Sequence, residues 1–395
     1  MKSGIVICGA GIVGMASALA LAKGGCKDVV LLGPQQLTSK PSAPLDRNTF
    51  HPRVYAISTA SQQFLAALGV WSMLDMGRVQ RVEAMEIRGD KFGALYLRAW
   101  QAAQAELTWI VESIEIERVL AQALKVYGVR WVSDTLEQYQ NSTGQTAGGQ
   151  VLEADLWVAA DGTSSKLRTL AGLSYKDDPY DAIGVVGHLT CERPHQSVAL
   201  QWFTPEGVLG LLPLPDTDEG HQVSMVWSLK KMFAERLLAM EQAQQASELA
   251  STLKQATRAR LGHLQLRGEL RGFGLGVAQS AMIGTGVALV GDAAHRVHPL
   301  AGQGLNLGLG DAQALAEVVS KREVFLSAGD PLVLRRYRRE RAQAILEMRL
   351  VTDGLKRLFD TTAPPLPWLR NAGLSLVDRL PLVKRLLIES ASRSA

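Results

Sequence analysis

Cysteine is scarce in this chain, with three residues among 395, at Cys8, Cys26 and Cys191. Three thiols leave one unpaired in any disulfide scheme, and their spacing fits no metal-binding motif. The sequence also lacks the His-Glu-x-x-His, paired-cysteine and Gly-x-Ser-x-Gly motifs that mark zinc hydrolases, metal sites and serine hydrolases. These absences predict a protein without a metal site, and they suit a reducing, cytoplasmic environment.

Charge is limited as well. Charged residues make up 20% of the chain and the formal net charge is +4, so no basic stripe for nucleic acid is expected. Hydrophobic residues make up 47%, which is enough for a large core. The length fits one large or two medium domains of an ordinary globular protein.

One uncharged run could be mistaken for a membrane span. The segment from Ser3 to Ala22 is long enough to cross a bilayer, and Lys2 before it imitates a signal peptide. Four glycines interrupt the run, namely Gly4, Gly9, Gly11 and Gly14. A strand, a turn and a helix explain each of them, so we expect that arrangement instead of a span.

The spacing of these glycines is typical of a dinucleotide-binding turn. The apolar run from Ile5 to Cys8 predicts a buried strand, and a helix is predicted from about Ile12. In such a turn Gly9 makes the bend, Gly11 admits the pyrophosphate and Gly14 lets the helix pack on the sheet. The sequence therefore predicts a Rossmann-like unit at its start.

The second strand of that unit, predicted at Val29 to Leu32, ends without the expected acid. The usual fingerprint places a carboxylate there to hold the adenosine ribose, but this chain has Gly33. The ribose hydroxyls must then bond to water, to backbone or to a side chain of the loop from Gln35 to Asp46. A Gly33→Glu substitution is accordingly expected to tighten cofactor binding, unless Gly33 needs a positive φ.

A second stretch, from Val287 to Asn306, combines a predicted strand, a turn and a predicted helix. Gly291 lets a ligand approach the strand end, and Asp292 follows the carboxyl end, where open α/β sheets bind ligands. Gly302 and Gly304 leave backbone N–H groups bare at a helix N-terminus, which favours electron-rich oxygens. An acid beside such amides suits a ligand with both hydroxyls and anionic or electron-poor groups, as a flavin dinucleotide has.

The run Gly-Asp-Ala-Ala-His-x-x-His-Pro-Leu-Ala-Gly-Gln-Gly-x-Asn resembles the third flavin-binding motif of the para-hydroxybenzoate-hydroxylase-type flavoprotein monooxygenases. It is closest to that of the ubiquinone-biosynthesis FAD-dependent hydroxylases. The resemblance implies that Asp292 hydrogen-bonds the ribityl chain and that the following loop lies along the isoalloxazine ring. The resemblance also assigns Gly291, Leu305 and Asn306 to cofactor binding. The loop residues that it assigns to cofactor binding would also form the flavin-ring environment where catalysis occurs, and they are Pro299, Gly302, Gln303 and Gly304.

Three other positions are assigned to FAD by the same resemblance. Arg53 matches an arginine near the pyrophosphate, and Asp161, in the run Asp161-Gly162, matches an Asp-Gly motif near the pyrophosphate that has been linked to the nicotinamide cofactor. Ser113 stands where the family usually has Asn or Gln touching the flavin, so its hydrogen bond would have a shorter reach. His188 and His221 are expected to be exposed or satisfied rather than catalytic, and the basic run from Arg335 to Arg341 is expected to be a solvated helix face.

The predicted fold class is α/β, with a Rossmann-like FAD-binding domain and a discontinuous, mainly β-sheet substrate domain. The FAD-binding domain is predicted to comprise residues 1–78, 105–180 and 272–360, and the substrate domain residues 79–104 and 181–271. A C-terminal helical tail, 361–395, is apolar with scattered bases. It is expected either to pack on the flavin domain or to touch a membrane surface.

These parts imply an aromatic-ring monooxygenase that hydroxylates a polyprenylated phenol in ubiquinone biosynthesis. By the resemblance, it would use FAD, with NAD(P)H and O2 as co-substrates, through a flavin C4a-hydroperoxide. Other ubiquinone-pathway proteins are expected as partners, and the localisation is expected to be cytoplasmic with membrane association. Two alternatives stay open, a non-catalytic flavin-fold subunit that scaffolds a biosynthetic complex and a hydroxylase of a small phenol.

Overall fold

In the computed structural model of the chain, the described residues are 2–35, 48–90, 93–297, 303–360 and 375–393. These residues form nine α-helices and nineteen strands. The helices in chain order are α1 (Ile12–Lys23), α2 (Thr59–Ala67), α3 (Ser113–Val126), α4 (Lys166–Leu170), α5 (Lys231–Leu238), α6 (Gln242–Thr257), α7 (Gln303–Ser320), α8 (Pro331–Asp360) and α9 (Pro381–Arg393). The strands in chain order are β1 (Lys2–Cys8), β2 (Val29–Leu32), β3 (Val54–Ile57), β4 (Gln80–Val82), β5 (Ala84–Arg88), β6 (Ala94–Arg98), β7 (Thr108–Glu112), β8 (Arg130–Val132), β9 (Leu136–Gln140), β10 (Thr143–Thr146), β11 (Val151–Ala159), β12 (Tyr175–Cys191), β13 (Val198–Thr204), β14 (Gly207–Thr217), β15 (Gly220–Lys230), β16 (Leu264–Ser280), β17 (Ile283–Gly284), β18 (Val287–Leu289) and β19 (His295–Arg296).

The first sheet has a parallel centre. Its order is β17-β18-β11-β1-β2-β8, with β10 and β9 attached through β11. Pairing is parallel from β18 to β8. Because β1 is central, it buries both faces: Ile5 and Ile7 pack against α1, α3 and α7, while Val6 and Cys8 face the β9–β10 side. A strand covered on both sides reads as a continuous apolar run, which is why β1 was visible in the sequence.

The second sheet is almost entirely antiparallel. Its order is β19-β16-β12-β15-β14-β13-β5-β6, and only the β13–β5 pair is parallel. One face packs on α5 and α6 through apolar side chains such as Trp227 and Leu253. The opposite face carries the directly paired residues His188 and Ser224. His188 Nε2 lies 2.9 Å from the carbonyl oxygen of His51, so this face lies over the segment that leads into β3.

A small third sheet, β3-β7-β4, joins the two larger ones. Ala56 and Ile110 in this sheet form one apolar cluster with Ala199 and Leu214 of the second sheet. The α/β fold class is therefore confirmed.

Several expectations about individual elements need correction. The stretch 232–257, whose Ala-, Gln- and Glu-rich composition predicts one helix, forms two helices, α5 and α6, separated at residues 239–241. The strands β12 and β16, of 17 residues each, were not recognised, and they cross the predicted domain boundaries at 181 and 272. The division into domains stays a prediction. Of the predicted tail 361–395, the structure describes 375–393, which include α9.

None of the helices that the structure describes combines the length and apolar character needed to cross a bilayer. The uncharged run near the start forms β1, the turn and α1, as expected.

Candidate functional site

The glycine-rich turn after β1 has the shape that a pyrophosphate requires. Gly9 has φ +112°, and a Cβ there would lie 2.2 Å from the carbonyl oxygen of Ala160, so only glycine fits. A Cβ at Gly14 would lie 1.9 Å from the Gly9 oxygen, which shows how closely α1 packs on the turn. A Cβ at Gly11 would meet nothing within 4 Å, and no side chain caps the start of α1. The helix thus presents bare N–H groups to an open space, where an anion would be stabilised.

The surroundings of Gly33, at the end of β2, explain why no acid stands there. They also reverse the effect expected of Gly33→Glu. A Cβ at Gly33 would lie 2.8 Å from both the backbone nitrogen and the Cβ of Ala10, in the glycine-rich turn itself. Because any side chain here would push the turn away, Gly33→Glu is now expected to weaken binding of the cofactor rather than tighten it. Gly33 has no positive φ, so the obstacle is a close approach of two backbones. Of the loop proposed to hold the ribose, Gln35 to Asp46, all residues but Gln35 lie outside the described residues.

The turn after β18 presents Asp292. A short 3-10 helix, Gly291–Ala293, follows the strand, and Gly291 has φ +59°, a conformation that glycine adopts at little cost. The side chain of Asp292 is exposed to solvent, yet protein surrounds it on its other sides, and this burial raises the pKa of its carboxyl. The charges of His295 and Arg53 lower that pKa by less than burial raises it.

A second carboxylate lies beneath this turn. Asp311 of α7 is 0% exposed. Its Oδ2 accepts hydrogen bonds from the Gly291 N–H (2.9 Å) and His295 Nε2 (2.7 Å), and its Oδ1 accepts one from Arg341 Nε (2.8 Å). Burial alone would raise the pKa of Asp311, but His295 and Arg341 hold it below its ordinary value. Arg341 is 4% exposed, so the expectation of a solvated basic face over 335–341 is wrong for this residue.

Arg53 and Tyr55 of the segment that forms β3 face the same region. The Arg53 guanidinium lies 5.2 Å from the centre of the Tyr55 ring. Burial raises the pKa of Tyr55 to about 12, and the charges of Asp292 and Glu117 add to this rise while Arg53 opposes it. These mutual influences show that β3, the start of α3 and the Asp292 turn meet at one place.

Ser113, the first residue of α3, is buried and bonded to a residue that sequence reasoning missed. Its Oγ lies 3.1 Å from His51 Nδ1, and the Arg53 N–H donates to the same nitrogen at 3.2 Å. Since a backbone N–H can only donate, Nδ1 is the acceptor and neutral His51 carries its proton on Nε2. The His51 backbone N–H in turn donates to Glu112 Oε2 (2.5 Å), and Arg78 donates to both oxygens of that carboxylate.

Asp161 lies on the turn after β11, beside the glycine-rich turn. Its Oδ2 accepts hydrogen bonds from the backbone N–H groups of Lys166 (2.8 Å) and Leu167 (3.2 Å). Its Oδ1 is buried and accepts no hydrogen bond from the residues that the structure describes. Ser165 caps the start of α4, since its hydroxyl accepts a hydrogen bond from the Arg168 N–H.

The start of α7 contains the last of the predicted positions. Both polar atoms of Asn306 are already used: Oδ1 accepts from the Ser58 N–H (3.0 Å) and Nδ2 donates to the Ala56 carbonyl (2.8 Å). Asn306 therefore ties α7 to β3. Leu305 packs in the core, and a Cβ at Gly304 would meet nothing within 4 Å. Gln303 is half-buried, whereas Pro299 and Gly302 lie outside the described residues.

The two histidines that were expected not to be catalytic, His188 and His221, differ in burial and in hydrogen bonding. His188 is buried, and this burial lowers its pKa. Its Nε2 donates to the His51 carbonyl, while its Nδ1 has no partner among the described residues. His221 is one-third exposed, and its Nδ1 lies 3.0 Å from Asp216. His188 is thus only half satisfied, contrary to expectation.

A strand–turn–helix with room for a pyrophosphate, together with an acid on the turn after a parallel strand, defines a dinucleotide-binding protein. A family model described as "FAD binding domain" matches residues 2–349. Ubiquinone hydroxylase UbiL of Rhodospirillum rubrum is 32% identical, over 98% of this chain and 89% of that protein. The 3-demethoxyubiquinol 3-hydroxylase of Escherichia coli is 31% identical, over 98% and 97%. The chain belongs to the FAD-binding domain family and, within it, to the ubiquinone-biosynthesis hydroxylases.

The fold is shared with a solved monooxygenase. The p-nitrophenol 4-monooxygenase PnpA from Pseudomonas putida DLL-E4 superposes with a TM-score of 0.77 at 19% identity, covering 99% of this chain and 98% of that one. The predicted cofactor, FAD, is confirmed by the family.

Proposed function

We propose that this protein hydroxylates the aromatic ring of a polyprenylated phenol in ubiquinone biosynthesis, using FAD, NAD(P)H and O2. The observation that carries the proposal is the near full-length similarity to ubiquinone-pathway hydroxylases in a chain whose FAD motifs converge beneath a second sheet. Reduced FAD, when bound, supplies the oxygen-activating chemistry. The residues of this chain bind it, orient it and exclude water.

The proposed cofactor contacts divide FAD into two halves. The open space at Gly11 and the bare start of α1 receive the pyrophosphate, with Arg53 adding positive charge. Asp292 accepts hydrogen bonds from the ribityl hydroxyls, whereas Asp161, beside the glycine-rich turn, belongs to the pyrophosphate end of the site. The backbone amides at the start of α7, those of Gln303 and Gly304, stabilise negative charge on the flavin pyrimidine ring.

The second sheet supports a substrate position over the flavin ring. The face that carries His188 and Ser224 covers the segment containing His51 and Arg53. The phenol would lie between this face and the start of α3. A single strand–Gly-x-Gly-x-x-Gly–helix unit is present in the described residues, so NAD(P)H would bind transiently rather than on a nucleotide domain of its own.

A peripheral membrane contact through the tail is also proposed, since a polyprenylated substrate resides in the bilayer. Helix α9 is fixed to the protein by Ser392, whose hydroxyl donates to Gln104 Oε1 at 3.0 Å. Its outer side exposes Leu382 (76%) and Leu386 (64%), and Trp100, on the 3-10 helix that α9 contacts, is 69% exposed. Exposed Leu and Trp beside the basic Arg385 suit the interface of an anionic membrane.

The test is turnover by the purified, FAD-loaded protein with isotopically labelled O2. With NADH or NADPH and a prenylated phenol, one labelled oxygen should appear on the ring of the product. Labelled product from an unprenylated phenol alone would favour a small-phenol hydroxylase. A flavin that NAD(P)H does not bleach would favour the non-catalytic scaffold. Quinone intermediates accumulating in a deletion strain would identify the position oxidised.

A further inference from the structure

Helix α7 carries a charged residue at a position where an apolar one would be expected. Asp311 adjoins the apolar series Leu309, Ala312 and Leu315, all fully buried. Burying a carboxylate without partners is costly, and a buried ion pair is often no more stabilising than apolar residues of similar volume. Overall stability is therefore a weak explanation for Asp311, and its particular contacts offer a better one.

Asp311 has three hydrogen-bond partners, and two of them belong to the Asp292 turn. One partner is the backbone N–H of Gly291, the residue just before Asp292. Another is His295, three residues after it, and the third is Arg341 of α8. Arg341 also donates to the Leu307 carbonyl at 3.0 Å, so the carboxylate is itself held in place on the helix.

Close packing brings the helix within reach of the turn. A Cβ at Gly308 would lie 3.1 Å from the Gly291 Cα and 2.8 Å from the Val13 side chain. Because Gly308 has no side chain, α7 can approach until the Asp311 carboxylate meets the Gly291 N–H. The Gly291 carbonyl accepts a hydrogen bond from the Ala294 N–H (2.8 Å), which closes the turn, whereas the Gly291 N–H has only the Asp311 carboxylate as its partner among the described contacts.

We propose that Asp311 is a positioning residue for the cofactor: it fixes the Gly291 turn so that the Asp292 carboxylate faces the ribityl chain of FAD. Its effect is confined to the flavin half of FAD, because the adenosine half is bound by the separate turn at Gly9 to Gly14. The inference rests on the proposed contact between Asp292 and FAD. It predicts that Asp311 acts through Asp292 and not through the fold as a whole.

The test compares two ligands on apo-protein reconstituted in solution: FAD, and ADP as a probe of the adenosine half alone. Asp311→Asn keeps the shape but removes the charge and turns an N–H group toward a donor. We expect FAD affinity to fall roughly tenfold to a hundredfold, the loss of one charge-assisted hydrogen bond, while ADP affinity stays unchanged. In a double-mutant cycle, Asp311→Asn should add little to Asp292→Asn.

The matched control is Glu115→Gln in α3. Glu115 is likewise buried, and likewise accepts from a backbone N–H, that of Asp75, and from an arginine, Arg118. The Glu115→Gln protein is expected to be less stable than the parent, but the ratio of its FAD affinity to its ADP affinity should not change. Arg341→Lys gives a second variant, which keeps the positive charge but loses the paired hydrogen bonds to Asp311 and to the Leu307 carbonyl, and it should show the same selective loss of FAD.

Each outcome decides the matter. Equal losses of FAD and ADP affinity, or fully additive effects of the Asp311 and Asp292 variants, would overturn the positioning role. If Asp311→Asn does not fold, Arg341→Lys decides on the same two ligands. If Asp292→Asn itself binds FAD normally, the proposed Asp292 contact fails instead, so the two failures can be told apart.

Discussion

Replacing Asp292 with Asn should stabilise the apo-protein and, at the same time, weaken its binding of FAD. The substitution is isosteric and removes one charge from an exposed side chain that protein surrounds on its other sides. A hydrogen bond to a charged acceptor contributes about 1.5–3 kcal/mol. Losing it should therefore weaken FAD binding by roughly one to two orders of magnitude.

The effect on apo-protein stability has the opposite sign. Burial raises the folded-state pKa of Asp292 above its unfolded value, so its ionised form is disfavoured by folding. The contribution of such an acid is present below the unfolded pKa, about 3.9, and is lost as pH rises through the folded pKa. At about pH 7, Asp292→Asn apo-protein should then be more stable than the parent, and the difference should vanish below about pH 4. Solvent exposure keeps this gain small.

Two measurements on the same samples check this reasoning. FAD fluorescence gives the dissociation constants, and thermal unfolding of the apo-proteins at both pH values gives the stability difference. A folded Asp292→Asn protein that binds FAD as tightly as the parent would refute the ribityl contact. A loss of apo-protein stability at neutral pH would refute the account of the carboxylate's surroundings.

Three further expectations follow from the geometry. Gly33→Ala, whose Cβ would lie 2.8 Å from Ala10, should displace the glycine-rich turn and weaken binding of FAD and ADP alike; unchanged ADP affinity in calorimetry would contradict this. Asn306→Ala leaves the Ala56 carbonyl and the Ser58 N–H without their partner and should cost about 1–3 kcal/mol in denaturant unfolding; an unchanged midpoint would argue against its structural role. Leu382→Ser with Leu386→Ser should reduce co-sedimentation with vesicles containing anionic lipid, while Phe325→Ser, equally exposed but on the α7–α8 connection, should not; equal losses would leave no special role for α9.

The sequence predicted correctly those elements whose ends are marked by local residue patterns. The bounds of β2 and the start of α1 were predicted correctly, because glycines and an uninterrupted apolar run mark them. By contrast, β16 carries Gly and Arg residues and an irregular burial pattern. Its pairing with β12 shifts register between Pro179 and Ile183 and again between Val186 and His188. A strand that bends in this way shows no period of two, so tertiary pairing alone defines it.

The supporting residues of the site were invisible for a related reason. Asp311 contacts residues 20, 16 and 30 positions away, and no local pattern announces such partners. The one available signal was an acid beside the apolar face of α7. Likewise, no motif marks His51, and only the fold shows that Ser113 and Arg53 form hydrogen bonds with its ring. The motifs predict which atoms touch FAD, whereas the atoms that hold those motifs in place become visible only in the fold.

The two buried polar side chains of α7 extend this argument to the site as a whole. Asn306 binds the backbone at Ala56 and Ser58, which follows Arg53 and Tyr55, and Asp311 binds the backbone at Gly291, which precedes Asp292. One helix therefore sets the positions of two segments that come from distant parts of the chain. The same helix begins at Gln303, beside the loop assigned to the flavin ring. A rigid α7 would thus hold the Arg53 guanidinium, the Asp292 carboxylate and the amides at its own start in fixed positions relative to one another.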